Sequence, residues 1–299
     1  DAFRERQPMR AKSLIITLFG DVISQHGGEI WLGSIARSVE ALGVNDRLVR
    51  TSVFRLVKEG WLEVEREGRK SFYGFTRSGS KEYQRAAQRI YSAGDDSWHG
   101  SWQLLLPTNL PETQRDDFRR SLHWLGFRAI SNGTFARPGG DEESIRDLLD
   151  EFDLSSGVVV MEAKTASLTT ARQWRELVSD HWQLDNLEEE YRQIIGLFRP
   201  LKKALDKGKL PTPLEAFQAR LLLIHEYRRI LLRDTPLPSD LLPNRWQGTV
   251  ARQLAQALYR DLAKPSSTYI QNELVNRQGR LPESEHYFYQ RFGGISKDL

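Results

Sequence analysis

A row of side chains, cationic or polar except for one phenylalanine, recurs at intervals of three and four residues between positions 46 and 59. Residues at this spacing share one side of an α-helix. The row consists of Arg47, Arg50, Thr51, Phe54, Arg55 and Lys58. An α-helix fits the major groove of B-DNA, where an arginine can donate two hydrogen bonds to the O6 and N7 atoms of guanine. The row therefore predicts DNA recognition, with groove contacts from Arg47, Arg50, Thr51, Ser52 and Arg55.

A second group of cations surrounds a predicted hairpin turn and is suited to phosphate or minor-groove contacts. Its members are Arg66, Arg69 and Lys70. The alternative is an ordinary solvated face, because acidic residues reduce the net charge of positions 45–70 to +2. Three of these acids alternate onto one side of their predicted strand, which would turn them away from DNA. They are Glu63, Glu65 and Glu67.

Three short helices and a hairpin must position these cations. Apolar residues at helical spacing predict helices over 13–25, 33–42 and 46–59. Alternation and turn residues predict strands over 62–67 and 71–75, after a short extended run at 29–32. Three helices followed by a hairpin are typical of a winged helix-turn-helix. We therefore expect a DNA-binding domain of this type over residues 1–94.

The pattern changes after a polar helix at 78–91 and a predicted linker at 94–97. Strands and helices then follow in the order β-α-β-β-α-β, which predicts a ferredoxin-like middle domain over residues 95–182, while other α/β arrangements also fit this alternation. At the level of the fold, such a domain resembles the CRISPR-associated Cas2 protein (Cas2-like). The rest of the chain has helical spacing, which predicts an all-helical C-terminal domain over residues 183–299. Its main helices are expected over 184–203, 214–232 and 247–262. The predicted fold class is therefore α+β with several domains.

Composition limits the classes of protein to which the 299-residue chain can belong. With 39% hydrophobic and 28% charged residues, it has the composition of a globular protein. Its apolar runs are too short for a membrane span, and no secretory signal is visible, so we expect a cytoplasmic protein. The net charge of +3 divides into +3 for residues 1–96, −4 for 97–182 and +4 for 183–299. Two basic ends therefore flank an acidic middle.

The sequence lacks most of the residue patterns that catalytic and metal sites require. The chain has no cysteine, which excludes thiol catalysis, cysteine-ligated zinc and iron–sulfur clusters. The run from His225 to Arg229 begins like H-E-x-x-H, but its last position is arginine, so the zinc-binding pair is missing. The six histidines are scattered singly, and no glycine-rich phosphate loop occurs. We therefore predict no enzyme, no metal site and no cofactor.

Several long motifs resemble those of the PaaX family of phenylacetate-degradation repressors. In the N-terminal part they are Gly27–Ser34, Val49–Leu56 and Lys58–Leu62, and in the C-terminal part Leu221–Ile230, Leu241–Pro243 and Tyr289–Gly294. The resemblance spans nearly the whole chain. It implies a homodimeric repressor of phenylacetate catabolism genes that binds a palindromic operator in double-stranded DNA and is released by phenylacetyl-CoA. Alternatives are a repressor that responds to another aryl-CoA, a DNA-binding protein without an effector, and a nucleic-acid-binding enzyme related to CRISPR-associated nuclease subunits.

An acyl-CoA effector needs cations for its phosphates and aromatic surfaces for its rings. The richest supply lies on one predicted helix and just beyond it: His225, Tyr227, Arg228, Arg229, Arg233 and Trp246. We expect these residues to bind the effector. The alternative is a packing role, in which Arg228 and Arg229 pair with Asp234, Asp240 or Glu226 and fix the packing of the helix. A second candidate is the group Trp98, His99 and Trp102 beside the predicted linker.

Overall fold

The computed structural model of the chain describes residues 11–92, 98–140, 142–166, 168–235 and 237–295. Backbone contacts group them into two units. The first unit contains the described residues up to 92, those from 191 to 232 and those from 249 onward, and the second contains 98–190 and 233–248. The N-terminal elements therefore share a unit with most of the C-terminal helices. The predicted linker at 94–97 lies outside the described residues, and the division into three domains stays a prediction.

The N-terminal elements match those predicted, with ends that differ by at most four residues. They are α1 (Ala11–Asp21), a short 3₁₀ turn (Ile23–Gln25), β1 (Glu29–Trp31), α2 (Leu32–Glu40), α3 (Asp46–Lys58), β2 (Leu62–Glu67), β3 (Lys70–Phe75) and α4 (Arg77–Ile90). The three strands form an antiparallel sheet in the order β1-β3-β2. Gly68, with φ +56°, permits the tight turn between β2 and β3.

The middle part of the chain confirms the β-α-β-β-α-β order. Its elements are β4 (Ser101–Pro107), α5 (Arg115–Trp124), β5 (Arg128–Ser131), β6 (Thr134–Pro138), α6 (Glu142–Glu151) and β7 (Val158–Lys164). The strands are antiparallel in the order β5-β6-β4-β7, which is the strand order of a ferredoxin-like sandwich. Its core is formed by side chains of β4, α5 and α6, including Leu105, Phe118 and Leu148.

The remaining elements are mainly helical. They are α7 (Ala171–Trp182), α8 (Leu184–Asp206), α9 (Pro213–Leu231), α10 (Gln247–Glu273), β8 (Val275–Asn276), β9 (Gly279–Arg280) and α11 (His286–Gln290). Two predictions were wrong here. The helix expected to end at Leu262 continues through Pro265 to Glu273, because the later turns bury Ser266 and Ile270. The prediction of an all-helical segment over residues 183–299 was also wrong, because β8 and β9 pair as a two-stranded antiparallel hairpin.

The core of the first unit joins both ends of the chain. On α1, Leu14, Leu18 and Phe19 are fully buried, and they pack in one cluster with the apolar stripe of α3. Phe217 and Leu221 of α9 belong to the same cluster. The helices that hold α3 in place are therefore themselves fixed by the C-terminal part of the chain.

Candidate nucleic-acid interface

Helix α3 is amphipathic, with one buried and one exposed side. Its first turn is capped by Asn45, whose side chain accepts a hydrogen bond from the Leu48 amide at 2.9 Å. Val49, Val53 and Leu56 have at most 1% exposure, and they anchor the helix in the core. This anchoring fixes which side chains the helix presents outward.

The outward side of α3 carries the predicted row. Its exposed members are Arg47, Arg50, Thr51, Phe54, Arg55 and Lys58. Arg50 Nε donates to Asp46 Oδ2 at 2.6 Å, and this hydrogen bond raises the pKa of Arg50. Both partners are exposed, so the pair orients the arginine with little effect on stability. Thr51 donates its hydroxyl proton to the Arg47 carbonyl at 2.9 Å, and Phe54 is 70% exposed.

Ser52 does not belong to this surface. It is 5% exposed and lies on the inner side of α3 with Val49 and Val53. The expectation that Ser52 contacts a groove was therefore wrong, since its side chain is part of the core. The sequence carried the signal for this placement, because Ser52 is three residues after Val49 and four before Leu56.

The hairpin exposes the second group of predicted cations: Arg66, Arg69 and Lys70. Lys70 Nζ lies 5.4 Å from the centre of the Trp31 ring, and Arg37 Cζ lies 5.5 Å from it. Such cation–π contacts contribute about 0.5–1 kcal/mol at exposed sites. Sequence reasoning missed Arg37 and the part played by Trp31. The Trp31 ring holds the guanidinium of Arg37 as an additional cation near Lys70 of the hairpin.

The carboxylates of the sheet are engaged with an arginine from the hairpin of β8 and β9. Arg277 Nη2 lies 2.7 Å from Glu29 Oε2, and Arg277 also forms an ion pair with Glu65. Glu63 and Glu67 are exposed on the same side of β2 as Glu65. The acidic side of β2 is thus partly neutralised within the molecule, and no short-range sequence signal indicated Arg277.

A buried ionic centre fixes the end of α1, the helix against which α3 packs. Asp21 is fully buried and accepts hydrogen bonds from Arg220 Nε at 3.0 Å, Arg291 Nη1 at 2.8 Å, and the hydroxyls of Tyr91 and Tyr259 at 2.7 Å each. Burial alone would raise the pKa of Asp21, but Arg220, Arg291 and the two hydroxyls outweigh burial and lower it. The carboxylate therefore stays ionised and joins the end of α4, α9, α10 and the C-terminal segment, which comprises α11 and the described residues after it up to 295.

The predicted effector residues on α9 lie mostly inside the first unit. His225 and Tyr227 are 4% and 1% exposed, and His225 Nδ1 lies 3.4 Å from the Thr17 hydroxyl. Arg228, 8% exposed, donates to the Ser13 hydroxyl at 3.4 Å and lies 5.8 Å from the Tyr83 ring centre. Burial lowers the pKa of Arg228. Burial and these contacts pack the three side chains into the first unit.

The other predicted effector residues have separate surroundings. Arg229 lies 3.4 Å from the buried Glu226 carboxylate, which is the ion pair considered as the alternative. Arg233 and Trp246 belong to the second unit, where Arg233 pairs with Glu190 and Trp246 is 6% exposed. The structure thus divides the six residues between two units. Their role in effector binding stays a prediction.

The tryptophans considered as a second candidate site take part in an aromatic cluster. The Trp102 ring stacks on Trp174 at 4.7 Å between centres and meets Trp98 and Trp182 edge-on at 5.6 and 6.2 Å. Trp98 also donates to the Ser101 carbonyl at 2.8 Å, and Trp102 is 3% exposed. The cluster packs the interior of the second unit.

Among the residues that the structure describes, no three side chains of aspartate, glutamate or histidine lie together in a way that could hold a metal ion. None of the helices there combines the length and the apolar composition needed to cross a membrane.

Comparison with protein families matches three consecutive segments of the chain. Residues 10–79 match the model described as PaaX-like protein, residues 95–175 the PaaX protein central Cas2-like domain, and residues 182–272 the PaaX-like protein C-terminal domain. The transcriptional repressor PaaX of Escherichia coli K12 is 39% identical over 293 residues, which are 97% of this chain and 92% of the relative. The chain belongs to the PaaX family. The Cas2-like character expected of the middle part is confirmed by the PaaX central-domain match.

A solved structure shows the same fold at low sequence identity. The uncharacterized protein Rv0674 from Mycobacterium tuberculosis superposes with a TM-score of 0.50 at 20% identity. The match covers 78% of this PaaX-family chain and 88% of the mycobacterial one. At this identity the likeness extends to the fold alone.

Proposed function

We propose that this PaaX-family chain is a winged helix-turn-helix repressor of phenylacetate catabolism genes. In this proposal α3 is the recognition helix and the hairpin of β2 and β3 is the wing. The observation that carries it is the exposed cationic side of α3, which stands opposite a stripe buried in the core. The family membership and the repressor from Escherichia coli support the same conclusion.

The exposed side chains of α3 and the wing divide into groups with different contacts to DNA in this proposal. Arg47, Arg50 and Arg55 donate hydrogen bonds to base edges in the major groove, where arginine pairs best with guanine. Arg66, Arg69 and Lys70 of the wing contact phosphates, which adds affinity without sequence preference. Exposed Phe54 adds an apolar surface of the kind that contacts thymine methyl groups.

The repressor acts as a homodimer on a palindromic operator, since a two-fold symmetric site is read by a two-fold symmetric protein. Phenylacetyl-CoA releases it, as the resemblance to the family implies. The chain has no catalytic role in this proposal. Its two units instead combine a DNA-reading surface with a large remainder available for effector response and dimerisation.

Fluorescence anisotropy with the DNA upstream of the chain's own phenylacetate genes tests the proposal. We expect specific binding, two chains per operator by native mass spectrometry, and release by phenylacetyl-CoA but not by free phenylacetate. A panel of other aryl-CoA thioesters would identify a differently tuned repressor. Binding no tighter than to random DNA would contradict the proposed function, and retention on the operator with every thioester would contradict the effector.

A further inference from the structure

A cleft of about 550 Å³ opens in the first unit on the side of α4 that faces the C-terminal segment. Its long wall is formed by one stripe of α4 and the residue that follows the helix: Ser80, Gln84, Ala87, Gln88 and Tyr91. These positions recur at intervals of three and four and therefore share one side of the helix. The other walls come from three places in the first unit: Ser24 and Gln25 after α1, Phe75 at the end of β3, and Tyr287 and Gln290 of α11. This volume is typical of a small-molecule site.

Aromatic rings form part of the cleft's lining. Phe75 stacks on Tyr83 with 5.8 Å between ring centres and 29° between planes. Tyr83 is buried, while Tyr287 is 69% exposed. Flat apolar surfaces of this kind suit an aromatic ring of a ligand.

The polar groups around these rings are mostly uncharged amides and hydroxyls. Amides come from Gln25, Gln84, Gln88 and Gln290, and hydroxyls from Ser24, Ser80 and Ser92. Within the described part of the chain, Gln25 Oε1 is buried without a hydrogen-bond donor. A buried acceptor without a donor is unfavourable, and the same side chain donates through Nε2 to the Ser24 hydroxyl at 3.3 Å.

The cleft's lining offers little to an anion. Its charged members are Glu285 and Arg291. Arg291 already donates to the Asp21 carboxylate, to the Gly20 carbonyl and to the Tyr259 hydroxyl. The amide side chains therefore match amides of a ligand better than phosphates. The exposed cations Arg77 and Lys81 follow on the adjacent row of α4, outside the lining.

We propose that this cleft binds the aryl-acyl and pantetheine portion of an aromatic CoA thioester and leaves its phosphates outside. Pantetheine is uncharged and carries two amides, which match the glutamine-lined wall, and the aryl ring packs on Phe75 and Tyr83. The inference rests on the proposed function and adds its ligand site. Because Phe75 ends β3, an occupant of the cleft touches the strand that carries Lys70 of the wing. The site thus lies where binding can act on the DNA-reading hairpin.

Isothermal titration with two probes tests this site, namely phenylacetyl-CoA and S-phenylacetylpantetheine. Gln84→Trp fills the cleft from an exposed position, and Glu82→Trp places the same bulk on α4 away from it. For each probe, we expect the dissociation constants of the wild type and Glu82→Trp to agree within about two-fold. The dissociation constant of Gln84→Trp should be at least about ten-fold higher. Equal melting temperatures of the two variants check that both fold.

Three results would overturn the site. The first is that Gln84→Trp binds phenylacetyl-CoA as tightly as the wild type does. The second is that the wild type binds phenylacetyl-CoA but not S-phenylacetylpantetheine. The third is that the wild type binds neither probe. The proposed function is tested separately by release from the operator. If both probes bind in the cleft and the operator is retained, the site stands and the effector part of the proposed function fails.

Discussion

Replacing Asp21 by asparagine probes the buried ionic centre that joins the two ends of the chain. The variant keeps an acceptor for the Tyr91 and Tyr259 hydroxyls but removes the negative charge shared by Arg220 and Arg291. Two buried guanidinium groups then lack a counter-charge. Removing one partner of a buried ion pair costs about 3–5 kcal/mol, because the remaining charge stays desolvated. We expect a loss of this size.

Urea unfolding followed by far-ultraviolet circular dichroism measures the loss, with an unchanged slope as the sign that only stability has changed. Asp261→Asn is the matched control in the same unit. Asp261 is exposed and lies 3.3 Å from Lys202, so its replacement should cost less than about 1 kcal/mol. Adding Arg291→Met to Asp21→Asn removes one uncompensated charge and should recover part of the loss. The reasoning is refuted if Asp21→Asn destabilises the protein no more than Asp261→Asn does.

Two other predictions follow from the first unit. Burial lowers the pKa of His26 from 6.5 to about 4, so the folded state keeps the ring neutral where the unfolded state binds a proton. The free energy of unfolding should therefore fall by roughly 3 kcal/mol in total as pH decreases from about 6.5 to 4. Urea unfolding across this range should show a weaker pH dependence for His26→Gln than for the wild type. An equal pH dependence of the two proteins would contradict this prediction. Lys70→Ala should weaken binding to operator and random DNA by a similar factor and reduce the salt slope of the affinity by about 1, as anisotropy titrations at several salt concentrations would show. A loss confined to the operator would instead make Lys70 a base-reading residue.

Local patterns predicted most elements because their causes are local. The stripe of Val49, Val53 and Leu56 and the cap at Asn45 suffice to define α3, and alternation around Gly68 defines the hairpin. The three- and four-residue spacing of α3 also predicted that Arg50 lies on the exposed side of the helix. It also places Ser52 on the inner side, against the prediction that this serine contacts the groove.

The remaining features depend on contacts between residues far apart in the sequence. Asp21 meets Arg220 and Arg291 across 199 and 270 positions, and Arg277 reaches Glu65 across 212. No helical or alternating pattern encodes such pairs. The continuation of α10 beyond Pro265 has the same origin, since tertiary burial of Ile270 outweighs the missing amide of the proline. The same holds for Arg228 of α9, which donates to the Ser13 hydroxyl of α1 across 215 positions.

The affinity of Arg50→Ala for operator DNA tests most directly the claim that the exposed side of α3 reads sequence. Arg119→Ala is the matched control, because Arg119 is an exposed arginine on α5 in the other unit. Anisotropy titrations should show a loss of about 1–3 kcal/mol for Arg50→Ala, with relaxed preference at one base pair, and no change for Arg119→Ala. Equal affinities of the two variants for the operator would contradict the account.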